Sequence, residues 1–389
     1  MKTLIELYDE RPVENVISTE MFMPERTVFI CTPEVAQNKN LQKKLAQYFK
    51  SRNVRCDLEF VPASVVSADD MAEKIKAVAE KYPDCAVDIA GGTDAALFAA
   101  GMVCGQNKLP VFTYSRKQNK FYNISSAEFA HELPCEIRLK IEDCFLMAGG
   151  SIRTGRVDNR ILGKYDSLFK PFFDCFMRYK KDWTKVITYI QRISQTPVND
   201  AEPLLAEGAK CVKGEHGSRV YAPEKTLSEL ERIGMIKSLS VTDEKVSFVF
   251  KDERCRAWLR DVGSVLELYT RKVCMDTGLY DDVRTSVIVD WQGDNRPDNV
   301  TNEIDVMAVR GVRPVFISCK ACAVKTEALN ELAILRDRFG SGIAKAAIVT
   351  TEQGRKIMRH RAQELDIAVI DLADLQKGTM KDCIAALAK

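Results

Sequence analysis

Histidine is scarce in this sequence, and that scarcity limits the metal sites that the chain can build. Its 389 residues include three histidines, His131, His216 and His360, which are far apart in the chain. One pair, Cys319 and Cys322, has the Cys-x-x-Cys spacing of a zinc motif. A structural zinc ion needs four ligands, and no second pair accompanies this one. The sequence therefore argues against a structural zinc site.

Excess charge and long apolar runs are also lacking. The 57 Lys+Arg nearly balance the 55 Asp+Glu, which excludes a polybasic, histone-like protein but leaves a local nucleic-acid groove open. No apolar run approaches the ~18 residues of a membrane span, and charges interrupt the first ten residues too early for a secretory signal. We expect a cytoplasmic protein with no membrane partner, whose 13 cysteines are reduced.

The length predicts two or three domains. Strand and helix patterns alternate over residues 1–148, which indicates a Rossmann-like α/β domain with a mostly parallel sheet. The alternation stops at Gly149–Arg156, a segment typical of a linker. Residues 149–261 are predicted to be a helical and winged-helix-like spacer. We favour a packing role over DNA reading there, because no basic recognition helix precedes the predicted hairpin.

Residues 262–389 are predicted to be a third, α/β domain with a specific order of elements. A helix comes first, then three antiparallel strands, a second helix and a further strand. These elements are predicted at Val262–Thr277, Arg284–Trp291, Asn302–Arg310, Val315–Lys320, Val324–Phe339 and Ala346–Thr350. A further helix at Gln353–Leu365 and a final strand at Ala368–Asp371 follow.

Charged side chains recur with strand spacing in this third domain. Alternate residues of a strand share a face, so Glu303 projects with Asp305, and Ser318 projects with Lys320. Neighbouring strands would bring carboxylates and an amine to one point, as metal-assisted phosphodiester hydrolysis requires. Glu267, on the preceding helix, is directed either at this point or at solvent. The alternative for Asp305 and Lys320 is that both are solvent-facing charges at strand ends.

With this order of elements, the last 125 or so residues resemble the restriction-endonuclease-like nucleases, whose pattern is a helix Glu, then Asp, then Glu-x-Lys. The resemblance implies that Asp305 and Lys320 take the Asp and Lys roles. It also implies that Glu267 is the helix carboxylate and that the carbonyl of Cys319 contacts a Mn²⁺ or Mg²⁺ ion. Ser318 stands where the family has the Glu of Glu-x-Lys.

That departure removes one metal ligand. Glu267 or Glu303 would have to substitute for it, or the site is inactive. If the site is active, we expect weaker metal binding and a tolerance of Mn²⁺ over Mg²⁺.

A second motif is a strand that runs into two glycines and a capped helix, from Asp88 through Gly91, Gly92 and Thr93. Glycines allow a ligand close to the backbone, and the free amides of a first helical turn attract phosphate. Ligands of open α/β sheets bind beyond such strand ends. The sequence contains neither GxxxxGK[ST] nor GxGxxG, so a triphosphate loop is excluded. A tight turn without a ligand is the alternative, since turn geometry also demands glycine.

Taken together, the two halves resemble the CRISPR-associated Rossmann fold (CARF) effectors, and in particular the cyclic-oligoadenylate-activated ancillary nucleases of type III CRISPR systems. The resemblance spans nearly the whole chain. It implies a homodimer that binds cyclic tetra-adenylate, or a related ring, across its two-fold axis and cleaves DNA, RNA or both with a divalent metal. The positions that match the family's ligand loops are Asn15, Thr32, Gly91, Gly92, Thr93 and Asp94.

Two other functions remain open. One is a ligand-responsive regulator, in which the winged-helix-like segment binds DNA and a nuclease domain inactivated by Ser318 only scaffolds the dimer. The other is a plain nucleotide-binding enzyme. Residues 263–389 carry 18 Lys+Arg and 18 Asp+Glu, so nucleic-acid affinity would have to come from local clusters. The candidates are Arg355–Arg361, which is otherwise a solvated helix face, and Arg310 with Arg313.

Overall fold

The computed structural model describes residues 1–64, 66–153, 159–195, 202–214 and 217–389. His216 and the end of the predicted linker, Thr154–Arg156, are outside these ranges. In the described part, no helix is both long and apolar enough to span a lipid bilayer.

The N-terminal domain contains a seven-stranded sheet. Its strands are β1 (Thr3–Leu7), β2 (Arg26–Cys31), β3 (Asp57–Pro62), β4 (Cys85–Asp88), β5 (Val111–Ser115), β6 (Lys120–Ser125) and β7 (Leu133–Pro134). The order is β3-β2-β1-β4-β5-β6-β7. The first five strands are parallel, and the last two are antiparallel to their neighbours. The predicted Rossmann-like architecture is therefore confirmed.

The helices of this domain cover both faces of the sheet. They are α1 (Ile17–Phe22), α2 (Pro33–Gln37), α3 (Lys39–Ser51), α4 (Ala68–Lys81), α5 (Asp94–Asn107) and α6 (Ile141–Leu146). Helix α4 begins at the predicted cap, where the Ser67 hydroxyl accepts a hydrogen bond from the amide of Asp70. Helices α4 and α5 share an apolar core with one sheet face, and Leu45 and Tyr48 of α3 pack in a second core.

The predicted linker is partly wrong. Ser151–Arg153 form strand β8, which pairs antiparallel with Ile288–Asp290 of the C-terminal domain. Its sequence is too short to show a strand period, and its partner lies some 137 residues further along the chain. Tertiary pairing therefore decides the structure of this segment.

Residues 159–261 form the predicted helices and hairpin. The elements are helices α7 (Asp166–Arg178), α8 (Trp183–Ile193), α9 (Glu224–Arg232) and α10 (Glu253–Trp258), and strands β9 (Leu205–Ala209), β10 (Cys211–Lys213), β11 (Arg219–Tyr221), β12 (Ile236–Val241) and β13 (Lys245–Phe250). Strands β12, β13 and β9 form one sheet. Short 3₁₀ helices occur at Pro12–Asn15, Glu128–Ala130, Asn159–Tyr165 and Lys180–Asp182.

The C-terminal domain has the predicted order of elements and two further helices at its end. The elements are α11 (Ser264–Thr277), β14 (Asp282–Asp290), β15 (Thr301–Arg310), β16 (Arg313–Lys320), α12 (Thr326–Phe339), β17 (Lys345–Thr350), α13 (Lys356–Glu364), β18 (Ile367–Ile370), α14 (Leu372–Lys377) and α15 (Met380–Leu387). With β8 at one edge, the sheet order is β18-β17-β16-β15-β14-β8.

Helices α11 and α12 pack on opposite faces of this sheet. Leu266 of α11 shares a core with Val306 and Ile317, whereas Leu332 of α12 shares a different core with Phe316. That second core also contains Phe112 and other residues of the N-terminal domain. The two α/β domains are therefore packed against each other through shared apolar residues.

Candidate active site and ligand site

Strands β15 and β16 separate at Asp305. Their pairing runs from Arg310↔Arg313 to Val306↔Ile317 and goes no further. At the next position, the Oδ2 atom of Asp305 accepts the hydrogen bond from the backbone amide of Cys319, at 2.6 Å. A side chain thus replaces the strand ladder, and the separation opens a wedge between the two strands.

The Asp305 carboxylate gathers further donors within this wedge. Its Oδ2 atom lies 3.1 Å from the Ser318 hydroxyl and 3.4 Å from Nζ of Lys320. The Asp305 side chain is 16% exposed and that of Lys320 is 37% exposed. The structure therefore brings Asp305, Ser318 and Lys320 together, as the strand spacing predicted.

The wedge opens into a cleft of about 40 Å³ against helix α12. Glu303 lines this cleft with Asp305 and Lys320, and Glu331 of α12 faces them. We name Glu303, Asp305, Ser318 and Lys320 the acidic cleft.

Glu267 lies in the first turn of helix α11. Burial, and next the negative charge of Asp305, raise the pKa of Glu267 to about 8, while Lys320 opposes the shift. The Glu267 side chain is half-buried and feels the charges of both Asp305 and Lys320. This favours an orientation toward the site over one toward solvent.

The donors of the acidic cleft suit a hard divalent cation. Carboxylate, hydroxyl and carbonyl oxygens are the ligands of Mg²⁺ and Mn²⁺. Within the described ranges, no three His, Cys, Asp or Glu side chains are arranged as a complete metal shell. The Asp305 carboxylate and the Ser318 hydroxyl, 3.1 Å apart, are oxygen donors of this kind.

The Cys319 side chain has a different environment from its backbone. Burial raises the pKa of its thiol well above the usual value, and its Sγ atom lies 3.5 Å from the Thr270 hydroxyl. Cys322 is exposed. The two cysteines of the Cys-x-x-Cys pair are therefore in different environments, Cys319 in the core and Cys322 at the surface.

The predicted ligand residues lie at one edge of the N-terminal sheet. Thr32 follows β2, and Gly91–Asp94 follow β4, so both groups stand at the carboxyl ends of strands that flank β1. The strand order reverses there, because β2 lies on one side of β1 and β4 lies on its other side. Thr32 caps α2 by accepting from the Val35 amide. Thr93 likewise caps α5. We name Thr32 and Gly91–Asp94 the strand-end site.

Asn15 and the glycines are committed to internal contacts at this edge. Asn15 is buried, and its side chain exchanges hydrogen bonds of 2.8 and 2.7 Å with the backbone of Asp9. The Gly92 amide, which precedes the helical amides predicted to attract phosphate, donates to Oδ2 of Asp9 at 2.9 Å. A Cβ atom on Gly91 would lie 2.8 Å from Cβ of Asp9. The glycines therefore allow the loop after β4 to contact the loop after β1. Asn15 holds the backbone of the loop after β1 at Asp9.

Sequence reasoning missed Asp9 and Arg11 at this edge. Both atoms of the Asp9 carboxylate accept from Arg11, each at 2.7 Å. The Arg11 side chain is 35% exposed, so a guanidinium stands beside the strand-end site. The available signal was position, since Asp9 comes two residues after the end of a central parallel strand.

The loop that follows β1, which contains Asp9, Arg11 and Val13, contacts the C-terminal domain. The Val13 amide donates to the Ser341 hydroxyl at 3.1 Å, and both residues are buried. Ser341 has φ +53°, in the left-handed region. A direct hydrogen bond therefore joins the loop of the strand-end site to the connection between α12 and β17.

The two basic clusters singled out in the sequence have mostly structural partners. Arg310 and Arg313 donate to the backbone carbonyls of Ala388 and Lys389, at the hairpin end opposite the acidic cleft. In the other cluster, Arg359 pairs with Asp371. Arg361 bonds Asn330 and pairs with Glu364. Arg355 and Lys356 are exposed and remain the candidates for nucleic-acid contacts.

Comparison with known proteins gives a family for the C-terminal domain. The sequence model of the Card1-like endonuclease domain family matches residues 252–387. No curated protein sequence gives a significant match.

Two solved structures resemble the whole chain. Protein VC1899 from Vibrio cholerae superposes with a TM-score of 0.73 at 19% identity, over 99% of this chain and 97% of that one. Can2 from Sulfobacillus thermosulfidooxidans, solved in complex with cyclic tetra-adenylate, superposes with a TM-score of 0.71 at 15% identity, over 100% and 99%. At such identities the likeness establishes the fold. Residues 252–387 of this protein therefore match the model of the Card1-like endonuclease domain family, in a chain whose fold is similar to those of VC1899 and Can2 along its length.

Proposed function

We propose that this protein is a divalent-metal-dependent nuclease activated by a cyclic oligoadenylate, acting in type III CRISPR defence. The observation that carries the proposal is the Asp305–Lys320 pair, 3.4 Å apart at the point where two strands of a Card1-like endonuclease domain separate. Carboxylates and an ammonium group at such a point suit phosphodiester hydrolysis.

The residues of the acidic cleft take separate roles in this proposal. Asp305, Glu267 and the carbonyl of Cys319 would hold Mn²⁺ or Mg²⁺. When bound, the ion would neutralise charge on the phosphate and act as a Lewis acid. Lys320 would orient the attacking water, since its ammonium is held beside Asp305 and is partly exposed. Glu303, exposed at the rim of the cleft, would be a further carboxylate for the metal or its waters.

The strand-end site is the proposed activator site. Can2 has the same fold and was solved with cyclic tetra-adenylate, and the cluster of Thr32 and Gly91–Asp94 is at the switch point where ligands of such sheets bind. Thr93 and Asp94 are exposed in the first turn of α5. Asn15 would act by holding its loop. The predicted ring is cyclic tetra-adenylate or a related cyclic oligoadenylate.

Calorimetry with cyclic tetra-adenylate tests this assignment. Asp94→Ala should weaken binding several-fold. Gln106→Ala, an exposed change near the other end of the same helix, should leave binding unchanged. Equal affinities for the two variants would remove Asp94 from the site.

The proposed assembly is a homodimer through helix α5. Leu97, Phe98 and Met102 are 36, 63 and 37% exposed. They lie on one side of the helix with Gly101 and Gly105, where an added Cβ would meet open space. An exposed apolar helix with small residues suits close packing against a second copy of itself. A two-fold symmetric dimer also suits the binding of a ring that has internal symmetry.

The alternative function, a ligand-responsive regulator that binds DNA through its winged-helix-like segment, receives less support. Helix α9, which precedes the hairpin β12–β13, has the sequence EKTLSELER with more acidic than basic residues. Arg232 and Arg178 are both paired with Glu229 of this helix. A DNA-reading helix needs free cations.

A cleavage assay tests the proposed function. Supercoiled plasmid and single-stranded RNA are incubated with the full chain and Mn²⁺, with and without cyclic tetra-adenylate and cyclic hexa-adenylate. We expect cleavage of at least one substrate that needs both metal and ring. Cleavage at the same rate with and without each cyclic oligoadenylate would contradict the proposal, and so would the absence of cleavage under every condition.

A further inference from the structure

We propose that Thr285 and Asn159 are positioning residues that hold the backbone of Asp305 for metal-assisted cleavage. This inference rests on the proposed function and adds two residues to its active site. One of them, Asn159, is in the 3₁₀ helix that leads into the middle segment of the chain.

The backbone of Asp305 stands at an interruption of the sheet on both sides. Pairing between β14 and β15 passes from Thr285↔Val306 to Val287↔Ile304 and skips Ser286 and Asp305. On the other side, pairing with β16 ends one residue before Asp305. Ser286 has φ +53° in the middle of its strand, a conformation that persists only where its surroundings impose it.

The Thr285 hydroxyl replaces the missing ladder contact. Its Oγ1 atom donates to the carbonyl oxygen of Asp305 at 2.7 Å, and Thr285 is 1% exposed. A buried carbonyl without a donor is costly, so this bond fixes the peptide that carries the catalytic carboxylate. Asp305 is thereby held at its carbonyl by Thr285 and at its carboxylate by the Cys319 amide.

Asn159 holds Thr285 in turn, in the way that a neighbouring strand would. Its Nδ2 atom donates to the Thr285 carbonyl at 3.0 Å, and its Oδ1 atom accepts from the Thr285 amide at 2.9 Å. Among the described residues, strand β8 pairs with β14 at Ile288–Asp290. The Asn159 side chain makes a further edge contact with β14 at Thr285, next to the left-handed Ser286.

These bonds form a series from Asn159 through Thr285 to Asp305. A shift of about 1 Å in a catalytic group can cost ~100-fold in rate. Through Asn159, the middle segment of the chain (residues 159–261) therefore has a role in catalysis in addition to packing.

The first test compares Thr285→Val with Thr285→Ser. Valine keeps the shape of threonine without the hydroxyl, whereas serine keeps the hydroxyl. We expect Thr285→Val to lower kcat of ring-activated cleavage by about tenfold or more, with KM for the nucleic acid unchanged. Thr285→Ser should retain wild-type kcat within about threefold. Equal kcat values for the two variants would overturn the inference.

A second readout does not depend on turnover. Titration of Mn²⁺, followed through the EPR signal of the free ion, should show weaker binding to Thr285→Val than to Thr285→Ser and the wild type. Matched thermal melts establish that the variants are folded. Unchanged Mn²⁺ affinity in Thr285→Val, together with unchanged kcat, would contradict a positioning role.

A double-mutant cycle tests the series. Because Asn159 acts through Thr285, Asn159→Ala combined with Thr285→Val should lose no more activity than Thr285→Val alone. Additive losses would show independent effects. The control that separates this inference from the proposed function is Asp305→Ala. If that variant is inactive while Thr285→Val is fully active, the inference fails alone; if Asp305→Ala also cuts at the wild-type rate, the active-site assignment fails.

Discussion

The carboxylate of Asp305 and the backbone amide of Cys319 are joined by a 2.6 Å hydrogen bond at the point where their strands part. This bond directs one carboxylate oxygen toward β16, where the Ser318 hydroxyl and the Lys320 ammonium also reach it. The proposed catalytic geometry thus depends on a local interruption of strand pairing. Ser318, whose hydroxyl lies beside Asp305, stands at the position of the Glu in the Glu-x-Lys pattern.

Ser318→Glu should strengthen metal binding. A carboxylate at this position would add a charged oxygen ligand beside Asp305, and the affinity of such sites for hard cations rises with ligand charge. We expect half-maximal cleavage at a lower Mn²⁺ concentration and measurable cleavage with Mg²⁺. Ser318→Gln, of the same shape but neutral, is the matched control. Identical metal titrations for the two variants would place residue 318 outside the metal site.

Ser341→Ala should weaken both the fold and the response to the activator. It leaves the buried Val13 amide without its acceptor, which costs ~1–3 kcal/mol of unfolding free energy. Because Val13 belongs to the loop of the strand-end site, we also expect a smaller increase in cleavage on adding cyclic tetra-adenylate.

Ser238→Ala is the control for that change. Ser238 is exposed and has a similar φ, +56°, so its replacement should alter stability by less than ~0.5 kcal/mol. If both variants retain the stability and activation ratio of the wild type, the Val13–Ser341 contact does not link the domains.

Glu14 should make the stability of the protein depend on pH. Burial raises the pKa of Glu14 to about 8, against the attraction of Arg116, whose Nε atom lies 3.0 Å away. The charged or titratable groups that face Glu14 are Arg116, Arg11, Asp88, Asp9 and Glu6. Between the ordinary glutamate pKa and about 8, the folded state binds one proton more than the unfolded state. The unfolding free energy therefore falls as the pH rises through this window.

Glu14→Gln removes this contribution. The difference in Tm between the variant and the wild type should become more positive from pH 5 to pH 8 and level off above pH 8. Thermal melts at unit intervals of pH measure it. A difference that is constant across this range would contradict a raised pKa at Glu14.

Phe98→Asp should abolish the proposed dimerisation. Phe98 is the most exposed apolar side chain of α5, at 63%, and a carboxylate there cannot be buried against a second copy without a large desolvation cost. Light scattering at micromolar concentration should show a monomer. Tyr221→Asp, at a similarly exposed aromatic of the middle segment (65%), should remain dimeric. A monomeric wild type in the presence of ring would refute the assembly.

Local sequence spacing predicted the acidic cleft because its residues come from one hairpin. Asp305, Ser318 and Lys320 are on consecutive paired strands, so the strand period and one turn decide their proximity. The sequence left two orientations open for Glu267, toward the site or toward solvent. The helical period alone does not say which side of a helix faces the sheet. The half-buried position of Glu267 and its electrostatic coupling to Asp305 favour the orientation toward the site.

Contacts between distant segments could not be predicted in the same way. The bond between Asp9 and the Gly92 amide spans 83 positions, and that between Asn159 and Thr285 spans 126. Strand β8 has three residues, too few for a period, and becomes a strand because Asp290 and its neighbours offer a free edge. Such features arise from tertiary packing, and a single sequence carries no local signal for them.

The most direct test of the account separates cleavage from activator binding in the same variants. Asp305→Ala and Lys320→Ala are compared with the wild type by single-turnover cleavage in Mn²⁺ and by calorimetry with cyclic tetra-adenylate. The account predicts that each variant loses ~100-fold or more in cleavage rate and binds the ring as the wild type does, because the acidic cleft and the strand-end site are in different domains. Cleavage at the wild-type rate by both variants would contradict the account.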